Sequence, residues 1–366
     1  MGMLEKYAQL LVDYSLELQA EEKLFIQTTL LATPLVKEIY RYATRKGAIV
    51  ETDISFEGKR DIFLKEACND VQLNYISPTY MQAMEQFNAY LYIRAPFDLS
   101  TPSYSDPIKS RKREQAYRPY RKIYSERTAN RDLKRSLCQF PTEASAAAAE
   151  MSLEEYESFV YQACHLFAED PMREWLKVRE QQQKVVDHLN QKTHIRYIGE
   201  GTDISFSTKG RKWINSDGQT NMPSGEVYTS PVEDSVNGHI HFSLPSIYMG
   251  NRVSGVTLWV ENGYVEKWEA KEGKQLLDSI FEIEGARRFG EAAIGNNFNI
   301  QQFTKNILFD EKIGGTVHMA IGQSYLQAGG KNTSSIHWDM IADMRNGGEI
   351  YADGEKIYQN GDFLIS

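Results

Sequence analysis

Cysteine is scarce in this chain of 366 residues: there are three, Cys68, Cys138 and Cys164. They are far apart, odd in number and show no CxxC. That excludes a disulfide framework and a thiolate zinc site, and points to a reducing cytoplasm. Histidine is also rationed, with seven in the chain. No stretch reaches eighteen apolar residues, and the opening "MGMLEKYAQLLVDYSLEL" is studded with acids, so neither a membrane span nor a signal peptide is expected. There is no GxGxxG, which leaves a dinucleotide site unsupported. Positive charge is in deficit: 41 Lys and Arg against 50 Asp and Glu give 41 − 50 = −9. The pI is near 5.4. Such a balance favours solubility, gives no general reason to bind nucleic acid, and suits a cluster of acids awaiting a cation.

Hydrophobic residues make up 41% and charged residues 25%, the profile of a globular protein. The chain is too long for one ordinary core and suits two domains or a large α/β enzyme. In its first hundred residues strand and helix patterns alternate. Leu4, Leu11, Tyr14 and Leu18 recur at helical spacing. "KLFIQTTL", "AIVETDISF" and "AYLYIRA" read as strands. "TPLVKEIYRYATRKG" reads as a helix, with Thr33 as N-cap, Pro34 at its first position and Gly47 past its end. This βαβ rhythm predicts a parallel sheet with flanking helices.

Residues 109–135 carry eleven Lys and Arg against three acids, with tyrosines interleaved. They read first as a solvated helical connector kinked at Pro119, and second as a nucleic-acid-binding face. "SLEE" resembles a capping box, and "REWLKVREQQQKVVDHLNQK" reads as a long polar helix. From His194 onward short strands and hairpin signals dominate, with Asn262-Gly263 and Asp353-Gly354 each between strand-like runs. The expected architecture is an α/β N-terminal domain over residues 1–194, with a parallel sheet, flanking helices and a helical connector. A mixed, β-rich C-terminal domain carrying the metal site follows over 195–366, interrupted by a helical stretch around 273–293.

The stretch "FDEKIGGTVHMAIGQSYLQAGGKNTSSIHWDM" gathers scarce histidines with acids among glycines. His337 and Asp339 are two apart, so on a strand both project to one face and Trp338 to the other. An imidazole and a carboxylate on one face can be first ligands for Zn²⁺, Co²⁺ or Mn²⁺, or an ordinary polar pair. His318 on an apolar run reads as a hydrogen-bonded core residue, with added weight from Asp310 and Glu311 upstream and Tyr325 downstream. A tyrosine hydroxyl near a metal can stabilise an oxyanion, and otherwise it packs. Glu291 falls in an expected helix, where it could equally pair with Arg287 or Arg288. Glu226 opens a strand, where glutamates are commonly solvated. His239 and His241 form a competing HxH pair on one strand face.

Five stretches in order between residues 224 and 340, "SGEVYTSP", "RRFGEAAIG", "LFDE", "GGTVHMAIGQSY" and "KNTSSIHWDM", resemble the thermophilic-type metalloaminopeptidases, the family of aminopeptidase T, aminopeptidase S and PepS. The N-terminal "YAQLLVDYSLELQ" and "PLVKEIYRYATRKGA" are similar to that family's opening. The resemblance implies a metal-dependent aminopeptidase that removes N-terminal residues from short peptides by attack of a metal-bridging hydroxide. It implies two divalent ions held by Glu226, Glu291, Glu311 (with Asp310 as its rival), His318, His337 and Asp339. It further implies a proton-shuttling carboxylate, Glu226 or Glu291, and Tyr325 at the oxyanion or the substrate. His239 and His241 take no role in it. It also implies a homodimer acting on short peptides; the cysteine usage points to the cytoplasm, and the charge balance and lack of a long apolar run to no nucleic-acid or membrane partner. Another dinuclear hydrolase, a dipeptidase or amidase, shares every ligand. A nucleic-acid-binding protein using 109–135 would leave those residues unexplained.

Overall fold

A computed structural model of the chain describes residues 2–99, 106–248 and 250–365. The chain divides into two compact units, Met1–Met172 with Gly218–Met222, and Arg173–Asp217 with Pro223–Ser366.

In the first unit five parallel strands run in the order Ile49–Ser55, Lys23–Thr29, Ala89–Arg94, Lys134–Gln139 and Asn221–Met222. The helix Thr33–Arg45 buries Leu35, Val36, Ile39 and Ala43, a stripe at helical spacing. Pro34 sits in its first turn, and Gly47 follows it at φ +88. The expected cap differs. Ala32 holds the N-cap position, and Thr33 Oγ1 donates to Leu30 O, because a short 3₁₀ turn at Leu30–Ala32 leads directly into the helix.

The basic stretch folds into the helix Pro107–Ala129, capped by Asp106 and continuous through Pro119. Its tyrosines have a packing role: Tyr120 and Tyr124 lie against the cluster of Phe25, Ala83, Met84 and Phe87. Arg113 donates to the Leu73 carbonyl and Arg127 to those of Met84 and Phe87, so two of its cations serve the fold. The Ser152–Glu155 capping box forms at the start of Leu153–Ala163.

The second unit holds two large antiparallel sheets and a small two-stranded one, Ser246–Tyr248 with Asn251–Val253. Of the large sheets, one has eight strands, among them His194–Gly199, Thr202–Ser207, Asn237–Phe242 and Val256–Glu261. The other has five, in the order His337–Asp343, Thr316–Gly322, Phe289–Gly295, Glu226–Thr229 and Ile214–Ser216. A single apolar cluster draws Ile195, Ile204, Ile240 and Leu258 from the first sheet and Val227, Ile294, Val317 and Met340 from the second. Each such fully buried side chain contributes about 1.5–3 kcal/mol. Both expected hairpin turns form, with left-handed φ at Asn262, Gly263, Asp353 and Gly354.

The stretch expected to be helical around 273–293 is helical only at Lys274–Ile280. Phe289–Gly295 is instead the middle strand of the five and is buried at every position. The alanines there favour a helix locally, but hydrogen bonding to strands on both sides overrides that preference. Glycines make the fit feasible: a Cβ on Gly290 would meet Gln323 O at 2.2 Å, and one on Gly295 would meet Ile313 O at 2.4 Å. The HxH pair lies in the other sheet, where His241 Nδ1 is 2.8 Å from Thr257 Oγ1 on the adjoining strand.

Candidate metal centre

Strand register determines which side chains meet. On Thr316–Gly322, His318 and Ala320 share one face while Val317, Met319 and Ile321 enter the apolar cluster. Directly opposed residues share a face, so Ala293 and Glu291 join His318 and Ala320, Asp339 joins Ala320, and His337 joins Gly322. Across the other edge, Glu226 opposes Gly295 and Tyr228 opposes Ala293. The face therefore carries Glu226, Glu291, His318, His337 and Asp339, with Ala293, Ala320, Gly295 and Gly322 between them. These small residues leave a hollow into which the long polar side chains lean.

A bulge between Phe289 and Glu291 is essential to this pattern. Phe289 belongs to the apolar cluster and Glu291 to the polar face, although two residues on a regular strand would point the same way. Glu311 arrives from elsewhere, as the residue that ends the one-turn helix Ile307–Asp310. Its rival Asp310 is held apart: its Oδ1 accepts from Thr304 N at 2.7 Å and Thr304 Oγ1 at 2.8 Å.

Two trios of donor atoms result, Glu291–His337–Asp339 and Glu311–His318–Asp339, each with its atoms within 4.8 Å of one another. His337 Nε2 lies 3.1 Å from Glu291 Oε2 and 3.4 Å from Asp339 Oδ1. His318 Nε2 lies 3.5 Å from Glu226 Oε2 and 3.8 Å from Glu291 Oε1. Glu226, Glu291, His318 and Asp339 are nearly or fully out of solvent, while the side chains of Glu311 and His337 keep 15% and 25% exposure. The second nitrogen of His337 donates to the Gln323 carbonyl at 2.7 Å, which fixes the ring and turns Nε2 toward the carboxylates. Tyr325 OH stands 3.5 Å from His337 Nε2.

This donor set fits divalent cations. Glu226 Oε2 and Asp339 Oδ1 are buried without a hydrogen-bond donor, an expensive arrangement unless something positive completes it. Oxygen and imidazole donors without thiolate match Zn²⁺, Co²⁺ or Mn²⁺. The site's own charges already compete. Burial opposes the charged imidazole of His337, yet Asp339 and Glu291 raise it to about 12. For His318 burial again opposes, and Glu291, Glu226 and Asp339 raise it to about 9. Burial raises Glu311 to about 8 against the pull of Lys312. Asp339 is lowered to about 2, because His337, His318 and Lys312 outweigh its burial.

Sequence reasoning missed Lys312. It has no exposed surface, its Nζ is 3.6 Å from Glu226 Oε1, and it also pairs with Glu311. A lone cation inside "FDEKIGGTV", just ahead of a run that reads as fully buried, was the available signal. Gln182 was missed too. Fully buried on the helix Pro171–Leu189, it donates to the Glu226 carbonyl at 3.2 Å and anchors that strand.

The family model for the thermophilic metalloproteases (M29) matches residues 2–363. Aminopeptidase 2 of Geobacillus stearothermophilus is 27% identical over 99% of this chain and 98% of its own length. Aminopeptidase T of Thermus thermophilus is 24% identical over 98% and 95%. Aminopeptidase AmpS of Bacillus subtilis is 30% identical over 62% of each. Among solved structures, wild-type AmpT from Thermus thermophilus superposes with a TM-score of 0.85 at 22% identity, covering 99% of both chains, a likeness of fold. With nearly its whole length matched, this chain belongs to the M29 family of thermophilic metalloproteases.

Proposed function

We propose that this protein is a two-metal aminopeptidase that removes N-terminal residues from short peptides, with its catalytic domain running from about residue 195 to the end. The observation that carries the reading is the sharing of Asp339 between the two donor trios. A carboxylate common to two groups of ligands is what a bridged pair of ions needs. Charge supports it as well. Glu226, Glu291, Glu311 and Asp339 against Lys312 sum to −4 + 1 = −3, which suits two dications together with one anion.

Glu226, Glu291, Glu311, His318, His337 and Asp339 would hold the ions, which when bound supply a hydroxide nucleophile and a Lewis acid for the scissile carbonyl. The chain's own groups do the rest. Glu226 or Glu291 carries the proton from the attacking water to the leaving amine. Tyr325 donates its hydroxyl to the oxygen where negative charge develops. Gln323 keeps His337 in one tautomer and orientation. We further propose a cytoplasmic homodimer with no nucleic-acid or membrane partner. Among the described residues no helix is long and apolar enough to cross a membrane.

The test is to strip the protein with chelator and restore Zn²⁺, Co²⁺ or Mn²⁺ while measuring bound metal and cleavage of leucinamide and N-acetyl-leucinamide. The reading requires two ions per chain and cleavage only of the free amine. Equal cleavage of both substrates would make it an amidase, and no metal-dependent cleavage would end the enzyme reading. Light scattering decides the dimer.

A further inference from the structure

A cavity of about 130 Å³ borders directly on His337 and Asp339. Its remaining walls are largely apolar, from Ile247, Tyr248, Phe303, Ile307, Trp338 and Ile341. We propose that this cavity receives the side chain of the peptide's first residue and selects apolar side chains of leucine or methionine size. The proposal rests on the aminopeptidase reading and names its substrate class.

Chemistry decides which substrate residue falls there. A peptide's free amine and first side chain branch from the same carbon. If the amine is held at Asp339, the first side-chain carbon, only two bonds from that nitrogen, must fall beside the same ligands. The second side chain leaves from beyond the scissile bond and lies farther off. Only the first can fill a hollow whose wall is His337 and Asp339 themselves.

The walls also fix the kind of side chain. The Tyr248 and Trp338 ring centroids lie 4.8 Å apart with the rings tilted by 32°, and Trp338 Nε1 donates to Ser246 Oγ at 2.7 Å, which braces this side. Ile341 lies on the same strand face as Asp339, one register step further along. Ile247 and Ile307 remain 38% and 40% exposed; a substrate side chain entering between them would cover apolar surface now in water. Besides His337 and Asp339, the polar residues that touch the cavity are Ser246, Lys305 and Asp310. The Asp310 carboxylate is already engaged by Thr304. The small volume disfavours tryptophan.

The experiment measures kcat/KM for glycine, alanine, leucine, methionine, tryptophan and lysine amides, for the wild type and for Ile307→Trp and Phe303→Ala. Binding of leucine hydroxamate and glycine hydroxamate is followed alongside by thermal shift. Wild type should prefer leucine and methionine over alanine by at least about tenfold. Ile307→Trp, at a half-exposed site, should shrink that preference at least about tenfold and remove the extra thermal shift given by leucine hydroxamate. Phe303→Ala should raise the tryptophan amide relative to leucine. Preferences unchanged in both variants while metal content stays at the wild-type level would overturn the assignment. So would selectivity that follows the second residue in a dipeptide series. If the wild type cleaved no free-amine substrate at all, the aminopeptidase reading itself would have failed, a result distinct from either.

Discussion

Lys312 holds its ammonium 3.6 Å from Glu226 Oε1 at a point with no exposed surface, while also pairing with the adjacent Glu311. Burial penalises the ammonium, but Glu226 and Glu311 more than compensate and raise its pKa. It acts as a permanent counter-charge inside the acid cluster. Lys312→Met should therefore cost the chelated protein about 3–5 kcal/mol, the usual loss when one member of a buried pair is removed. With Zn²⁺ added the cost should be smaller, since the ion would balance the same carboxylates. Urea unfolding with and without metal measures both. Equal losses would reduce Lys312 to a packing residue.

The histidines predict how the chelated protein responds to pH. His318 is raised to about 9 and His337 to about 12, above an unfolded value of about 6.5. A group raised in the folded state stabilises fully below its unfolded value, and that stabilisation disappears as pH climbs through the folded value. Glu311, raised to about 8 by burial, works in the same direction. The chelated protein should lose Tm steadily from about pH 4.3, where Glu311 begins to contribute, through about pH 9 and on toward pH 12 as His337 deprotonates. Asp339, lowered to about 2, adds stability above about pH 3.9 that vanishes as pH falls through the folded value. Calorimetry across this range checks the slope, and a Tm that rises toward pH 9 contradicts it.

Tyr325→Phe isolates the hydroxyl. The Glu291 charge and burial keep that hydroxyl protonated, with a pKa well above the ordinary tyrosine value, so it remains a donor throughout the working range. Its loss should lower kcat by about 10²–10³ with little change in KM, as for other oxyanion donors. A variant that loses KM and keeps kcat would make Tyr325 a substrate-orienting group.

Gly290→Ala tests the bulge. The new Cβ would fall 2.2 Å from Gln323 O, the carbonyl that accepts from His337 Nδ1. Overpacking of this kind costs about 1–3 kcal/mol. Displacing that carbonyl should weaken metal binding about 10–100-fold. Equilibrium dialysis against a chromogenic chelator gives the second figure, and unchanged affinity would show that Gln323 does not orient the ring.

Much of this was legible in the sequence where a local rule governs. The βαβ rhythm gave the parallel sheet, Asn262-Gly263 and Asp353-Gly354 gave their hairpins, and the two-residue step put His337 and Asp339 on one face with Trp338 behind. What stayed hidden depends on residues distant in sequence. Nothing in "RRFGEAAIG" announces that strands will flank it on both sides, so its alanines suggested a helix. Glu226 read as solvated at a strand end, yet it is buried because that strand lies inside a sheet, opposite Gly295. The distinction between Asp310 and Glu311 could not be read from spacing either. It follows from Thr304, which captures one carboxylate and leaves the other to the cluster.

Backbone hydrogen bonds between four neighbouring strands place every donor except Glu311. The cage is thus assembled during folding, at the expense of the sheet, and a cation arriving later need not organise it. Such a protein should keep its tertiary structure in excess EDTA, unlike a zinc finger, which collapses once its ion is withdrawn. It should also recover full loading on the timescale of diffusion, with no refolding step between.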